Sequence, residues 1–305
     1  MKGIPGLHTN HTVKMATEPV YMIFGAESPI GEALATRVKA SSDQYRIFEF
    51  SSEAANITLP EHICPLMEYI RPTVVLNCSG LDDEDVCEDA KQGAFNLNGR
   101  GPKTLAETCK KYASKLVHIS SFGVFDGRRQ APYTEKNTVR PINVFGESKF
   151  SGEAAIKESC DNWLIIRPGW VFHYTNGTCV ADWLSMADSG KEVPFLEGQK
   201  GSPTYAPDLA EAIMNLLCKD ATGVFHVANS GAATRREMVE TTFSLAKTRA
   251  QLVSVKPETQ SFWKAPLPLH TVLSTKKYES VAGRSLRPWD KALKHCLFML
   301  GRYAP

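Results

Sequence analysis

Five short apolar runs set the architecture: Pro19–Phe24, Tyr45–Phe50, Thr73–Leu76, Leu116–Ile119 and Trp163–Ile166. Each ends in small, hydroxyl-bearing or turn-forming residues, and helical patterns fill the intervals, over residues 32–38, 62–70, 98–112 and 147–158. Strands that recur with a helix between them run parallel, because only a crossover of a dozen or more residues can bring the chain back to start the next strand on the same edge. The economical arrangement is α/β, a Rossmann-like doubly wound parallel sheet. Its ligands belong beyond the C-terminal strand ends, where the loop after Phe24, Ser79, Ser121 and Trp170 would gather. Beyond residue 175 the pattern loosens into helices at 182–187, 208–217, 234–245, 278–283 and 289–300, with a strand at 224–227. Thr58, Pro207 and Thr234 read as helix-start residues, Thr58 as the N-cap of the 62–70 helix and Pro207 at N1.

Composition removes several functions. The 305 residues carry a net charge of +2 with no basic block, so there is no nucleic-acid footprint. No apolar run approaches the roughly 18 residues a membrane span needs. The first twenty residues hold Pro5, His8 and His11 but no apolar core, and read as a disordered leader rather than a secretory signal. Eight cysteines are scattered without a C-x-x-C pair, which argues against a metal site and against a disulfide framework. Buried free thiols in a reducing, cytoplasmic setting are the expectation.

The first βα turn, Gly25-Ala26-Glu27-Ser28-Pro29-Ile30-Gly31, has the strand–glycine–helix context of a dinucleotide fingerprint, with Ser28 where the middle glycine usually stands. A pyrophosphate would sit on the N–H groups at the start of the helix. The second strand ends Phe50-Ser51-Ser52-Glu53, so hydroxyls come first where an NAD-preferring site puts a carboxylate; NADP is allowed, and NAD remains possible. The third ends Asn77-Cys78-Ser79-Gly80, small enough for a flat cofactor to approach. Asp82–Asp89 reads as a solvated acidic helix start, and Asn98 as a mid-helix amide that is unfavourable unless it bonds something. Ser121 follows the fourth strand, and Phe145 and Lys149, spaced i and i+4, share a helix face. The chain therefore divides into a leader at 1–18, an NAD(P)-binding domain at 19–172 and a smaller C-terminal α/β substrate-binding lobe at 173–305, with a crossing back between the two allowed.

Several long motifs occur in order: Ser120-Ser121-Phe122-Gly123-Val124-Phe125-Asp126-Gly127, Pro141-Ile142-Asn143-Val144-Phe145-Gly146-Glu147-Ser148-Lys149, Arg167-Pro168-Gly169-Trp170-Val171-Phe172 and Gly201-Ser202-Pro203-Thr204-Tyr205-Ala206-Pro207-Asp208. Through them the chain resembles the dTDP-4-dehydrorhamnose reductases, an extended branch of the short-chain dehydrogenases, and their relative, the regulatory beta subunit of methionine adenosyltransferase. The resemblance runs from about Val20 to Leu300. It implies NAD(P)H-dependent reduction of the 4-keto group of a dTDP-6-deoxy sugar, with hydride from the nicotinamide and a proton from a tyrosine beside Ser121 and Lys149. It implies cofactor contacts at Gly25, Glu27, Ser28, Pro29, Ile30 and Gly31, at Ser51, Asn56 and Ile57, at Cys78, Ser79 and Gly80, and at Asn98, Ser120 and Lys149. Substrate contacts fall at Phe122, Gly123, Val124, Phe125 and Trp170.

The departures from the family pattern concentrate at the chemistry. Phe145 stands where the tyrosine belongs; a pocket tyrosine is missing around Phe122-Gly123, and a lysine is missing from Glu84–Glu88. Thr178-Cys179 replaces an Asn-Phe, and the arginine usual near Ala265-Pro266-Leu267-Pro268 is absent. Tyr133 and Tyr174 are the candidates for a substitute phenol. The expectation is a protein that binds NADP(H) and a nucleotide sugar but is a weak or silent catalyst, an accessory subunit. Its partner would be a homologous reductase or other enzyme of dTDP-rhamnose synthesis, or a methionine adenosyltransferase catalytic subunit. The alternative is a working reductase in which Ser121, Lys149 and water share the proton work.

Overall fold

The computed structural model describes residues 18–41, 45–175, 177–259 and 262–304; all but the last residue of the expected leader lies outside them. The first half of the sheet is built by β1 (Val20–Phe24), α1 (Pro29–Lys39), β2 (Arg46–Phe50), α2 (Pro60–Ile70) and β3 (Val74–Asn77). Two short helices, α3 (Glu84–Asp89) and α4 (Lys91–Phe95), lead through a π-helical turn at Asn96–Arg100 into α5 (Gly101–Tyr112) and β4 (Lys115–Ile119). Helix α6 (Val144–Ser159) then carries the chain to β5 (Trp163–Pro168).

All five residues of β1 are buried, and alternate side chains enter different cores. Tyr21 and Ile23 pack with Leu34 and Val38 of α1, whereas Met22 and Phe24 pack with Ile63 of α2 and Leu105 of α5. A strand covered on both faces needs an unbroken apolar run, which is the pattern read from the sequence. Each fully buried aliphatic side chain contributes roughly 1.5–3 kcal/mol.

After β5 come β6 (Trp170–Phe172), α7 (Cys179–Asp188), β7 (Val193–Leu196), β8 (Lys200–Gly201) and β9 (Pro203–Tyr205), then α8 (Ala206–Cys218) and β10 (Gly223–Val227). The sheet has six parallel strands in the order β10-β5-β4-β3-β1-β2. Strand β10 pairs along β5 from Gly223 opposite Leu164 to Val227 opposite Pro168. The division at 172/173 is therefore not where the sheet ends. Helix α8 supplies Leu209, Ile213 and Leu216 to the core on the α1 face, and without β10 the apolar β5 would be an unpaired edge.

The remainder of the lobe comprises β11 (Ala233–Thr234), α9 (Arg235–Ala246), β12 (Leu252–Val255), α10 (Lys276–Ala282) and α11 (Trp289–Met299). Its strands pair in twos, β6 with β9, β7 with β12 and β8 with β11. Its own core joins Trp170, Trp183, Val239 and Leu293.

Some helix starts differ from the sequence expectation. Helix α6 begins at Val144, three residues early, because Asn143 Oδ1 accepts from the Gly146 N–H at 2.9 Å. Thr58 does not cap α2: its hydroxyl donates to Asn56 Oδ1, and Pro60 at the helix start has no N–H to satisfy. Thr234 forms the full capping box with Glu237. Of the eight cysteines, all free, five are buried; Cys64 and Cys179 are half-buried and Cys218 is exposed, against the expectation of buried thiols throughout. Among the described residues no helix is long and apolar enough to cross a membrane, and no group of His, Cys, Asp and Glu side chains could hold a metal ion.

Candidate active site

The site begins at the β1–α1 turn. Gly25 has φ of +71°, and a Cβ there would lie 2.5 Å from the Ser79 backbone nitrogen, so the turn closes against the end of β3 only with glycine. A Cβ at Gly31 would lie 2.1 Å from the Gly25 carbonyl oxygen. Ser28 Oγ accepts from the Gly31 N–H at 3.1 Å and donates to the Gly25 carbonyl at 2.8 Å. The Ile30 N–H, in the first turn of α1, has no intrahelical partner and stands at the positive end of the helix. Glu27 accepts from the Ser52 N–H at 2.9 Å and from its hydroxyl. Against the raising effect of partial burial, those two donors hold the Glu27 carboxyl below its ordinary range.

The ends of β3 and β4 form the floor. Asn77 Oδ1 accepts from the Ser79 N–H at 3.1 Å, and its amide nitrogen lies 3.0 Å from His118 Nδ1 on the neighbouring strand. Asn98 is buried in the π-helical turn. Its oxygen accepts from the Leu81 N–H at 2.8 Å, and its nitrogen donates to the Leu81 carbonyl and to Ser148 Oγ, each at 2.9 Å. This amide fastens the loop after β3 to α6, and so makes the bonds a mid-helix asparagine needs. Ser120 Oγ donates to Glu153 Oε1 at 2.6 Å, and Glu153 in turn accepts a two-pronged bond from Arg167 at 2.7 and 2.6 Å. Ser121 Oγ accepts from the Gly123 N–H at 3.0 Å.

Helix α6 brings residues 145 and 149 together, as their spacing requires. Lys149 is buried with its ammonium 2.7 Å from Asp82 Oδ1 and 5.7 Å from the centre of the Phe145 ring. A Cβ at Gly80 would come within 2.7 Å of that ammonium, and one at Gly123 within 2.8 Å of the Phe145 ring, so both glycines give room to side chains of the site.

These groups surround one cavity of about 360 Å³. Of the residues expected at the cofactor, Ser28, Pro29, Ile30, Cys78, Ser120 and Lys149 line it. Ser121, Phe122, Phe145 and Trp170 complete the expected part of its wall. Gly25, Gly31, Ser79, Gly80 and Asn98 shape it from behind. Glu27 and Ser51 stay near the end of β2, where Ser51 Oγ accepts from the Ala54 N–H. Asn56 takes the Thr58 N–H and hydroxyl, and Ile57 is buried against Gly101. Neither residue is in the cavity wall.

Two expectations are corrected. Val124 and Phe125, placed at the substrate, are fully buried in a small core with Tyr133 and Leu273, because the turn after Ser121 directs them inward. The substitute phenols also fall away. Tyr133 stacks on Phe125 and donates its hydroxyl to Asp126 at 2.6 Å, while the Tyr174 ring lies tilted against His173; neither lines the cavity.

Asp82, Glu84 and Arg235 also line the wall but were not singled out as site residues, and Thr178 and Cys179, which stand for the family's Asn-Phe, line it too. Asp82 and Glu84 belong to the acidic run read as solvated. Burial, opposed by Arg235 and reinforced by Asp85 and Asp83, pushes the Glu84 carboxyl up to about 7. Arg235, the first residue of α9, lays its guanidinium 3.9 Å from the centre of the Trp170 ring and donates from Nε to Gln199 Oε1 at 3.2 Å. The Thr234 cap announces the start of that helix in sequence, but nothing local says that the start faces Trp170.

Residues 20–301 match the family model described as RmlD substrate binding domain. The chain belongs to this family. It is 30% identical over 284 residues to a dTDP-4-dehydrorhamnose reductase of Mycobacterium tuberculosis, covering 90% of this chain and 91% of that protein. It is 29% identical to the spore coat polysaccharide biosynthesis protein SpsK of Bacillus subtilis, covering 90% and 96%. Among solved structures it is similar to the Bacillus anthracis dTDP-4-dehydrorhamnose reductase in complex with NADP, with a TM-score of 0.87 and 25% identity over 92% of this chain and 99% of that one. The Rossmann-like sheet and the family resemblance drawn from the motifs both stand.

Proposed function

We propose that this member of the RmlD family binds NADP(H) and a nucleotide sugar in the cavity, and that Phe145 leaves it a weak or silent reductase acting as an accessory subunit. The cofactor fits the residues present. The glycine turn admits backbone close to a pyrophosphate, Ile30 offers a free N–H at the helix start, and Ser79 Oγ is buried without a partner beside the loop. Lys149 would hold the nicotinamide ribose, exchanging its present bond to Asp82. When bound, NADPH supplies a hydride for a ketone carbon. Among the described residues the wall holds no phenol to give the oxygen its proton, and loss of a general acid forfeits roughly 10²–10⁴-fold. The observation that carries the reading is Phe145 in the wall beside Lys149, with no tyrosine hydroxyl in that wall among the described residues. The protein partner of this reading is an enzyme of dTDP-rhamnose synthesis or a methionine adenosyltransferase catalytic subunit, and its setting is cytoplasmic.

A second reading, an active reductase, is favoured by Ser121 and Lys149 in the same wall and by Glu84, a carboxyl pushed up to about 7 and so still partly protonated at neutrality. Calorimetry with NADPH and NADH, followed by dTDP-4-keto-rhamnose with absorbance read at the nicotinamide band, separates the two. Binding of NADPH with no oxidation is the expected result. Turnover at roughly 1–10³ s⁻¹ would replace the accessory role with the enzymatic one.

A further inference from the structure

Among the described residues the cavity wall has two cationic side chains, Lys149 and Arg235. Lys149 is paired with Asp82. Arg235 forms no ion pair among the described residues, yet it is held in one orientation from three sides. Its Nε donates to Gln199 Oε1 at 3.2 Å, its backbone N–H donates to the Gln199 carbonyl at 2.9 Å, and its guanidinium plane rests over Trp170. Gln199 is itself buried and donates to the Pro268 carbonyl at 3.3 Å. Trp170 is equally fixed, since a Cβ at Gly201 would lie 2.4 Å from its ring. A half-buried guanidinium in a cavity wall, with no carboxylate paired to it among the described residues, is costly unless an anion completes it, and its planar fork suits phosphate oxygens.

We propose that Arg235 is the anchor for the diphosphate of the nucleotide sugar, a role that rests on the nucleotide-sugar reading above. Gln199, which leans on the Pro268 carbonyl, holds Arg235 in place at the start of α9. The aromatic face of Trp170 pre-orients the cation, and the ligand's diphosphate bridges its two terminal nitrogens.

The test is calorimetric titration of the full chain, loaded with NADP⁺, with dTDP and with dTDP-glucose. Arg235→Met, which keeps an aliphatic stem on Trp170, is expected to weaken both ligands alike, by roughly 10- to 100-fold. Arg235→Lys, a point charge without the fork, is expected to recover part of the loss and carries the test if the methionine variant does not fold. NADP⁺ affinity stays unchanged in both. Loss confined to dTDP-glucose would place the arginine at the sugar and overturn the diphosphate role, as would dTDP binding unchanged in both variants. A wild-type protein that binds NADP⁺ but neither dTDP nor dTDP-glucose would remove the nucleotide-sugar reading itself, and the anchor with it.

Discussion

Phe145 differs from a tyrosine by one oxygen, and Lys149 four residues on, Ser121 after β4 and Trp170 share the cavity wall with it. Phe145→Tyr should raise turnover of dTDP-4-keto-rhamnose by 10²-fold or more, in line with the usual worth of a general acid of roughly 10²–10⁴-fold; an assay of NADPH oxidation reads it directly. Asp82 competes for the ammonium that a bound ribose would use. Its carboxylate is largely exposed, so the pair is weak, and Asp82→Asn should tighten NADPH binding by no more than about fivefold in calorimetry. Glu84 titrates in the opposite sense to most carboxylates. Its folded-state pKa lies above that of the unfolded chain, so between about 4.5 and 7 unfolding releases a proton and stability falls as pH rises. Glu84→Gln should abolish that decline, gaining roughly 1–3 kcal/mol at pH 8 relative to pH 5 in denaturant titrations, with less if solvent screens the half-buried group.

Helix α6 and the strands beside it show how a buried ion pair can brace a site from beneath. Glu153 on α6 grips Arg167 at the end of β5 and Ser120 at the end of β4, so three elements meet at one carboxylate beneath the cavity. Removing the arginine strands a buried charge, and Arg167→Met should cost roughly 3–5 kcal/mol in unfolding free energy. The partners hold the Glu153 carboxyl below its ordinary range despite its burial; stability from this network is present above pH 4.5 and is lost as pH falls further. Of this arrangement the sequence showed the helix and the Arg167-Pro168-Gly169-Trp170 motif. It did not show the pairing, because residues 120, 153 and 167 belong to no common local pattern.

For the whole molecule the decisive connection is the return of the chain to the sheet. Strand β10 and helix α8 lie beyond the point where the apolar rhythm loosens, yet they complete the sheet edge and one of its two cores. A fragment of residues 19–172 should therefore fail to fold as a monomer, with the β5 edge and the α1 face uncovered; solubility and circular dichroism of that fragment would show it, and a folded monomeric fragment would contradict it. The same return places the lobe over the strand ends, and so brings α9 to the cavity.

Periodicity and turn chemistry were enough to establish the parallel sheet, the glycine turn and the shared face of residues 145 and 149, since each is a relation among neighbours in the chain. The loss of the phenol could also be read there, residue by residue. Asp82 beside Lys149, Glu84 in the cavity wall, Arg235 on Trp170 and the burial of Val124, Phe125 and Tyr133 were settled only by the packed structure. These depend on which surfaces of distant elements meet, and that is decided by the burial of apolar area across the whole chain rather than by any local pattern.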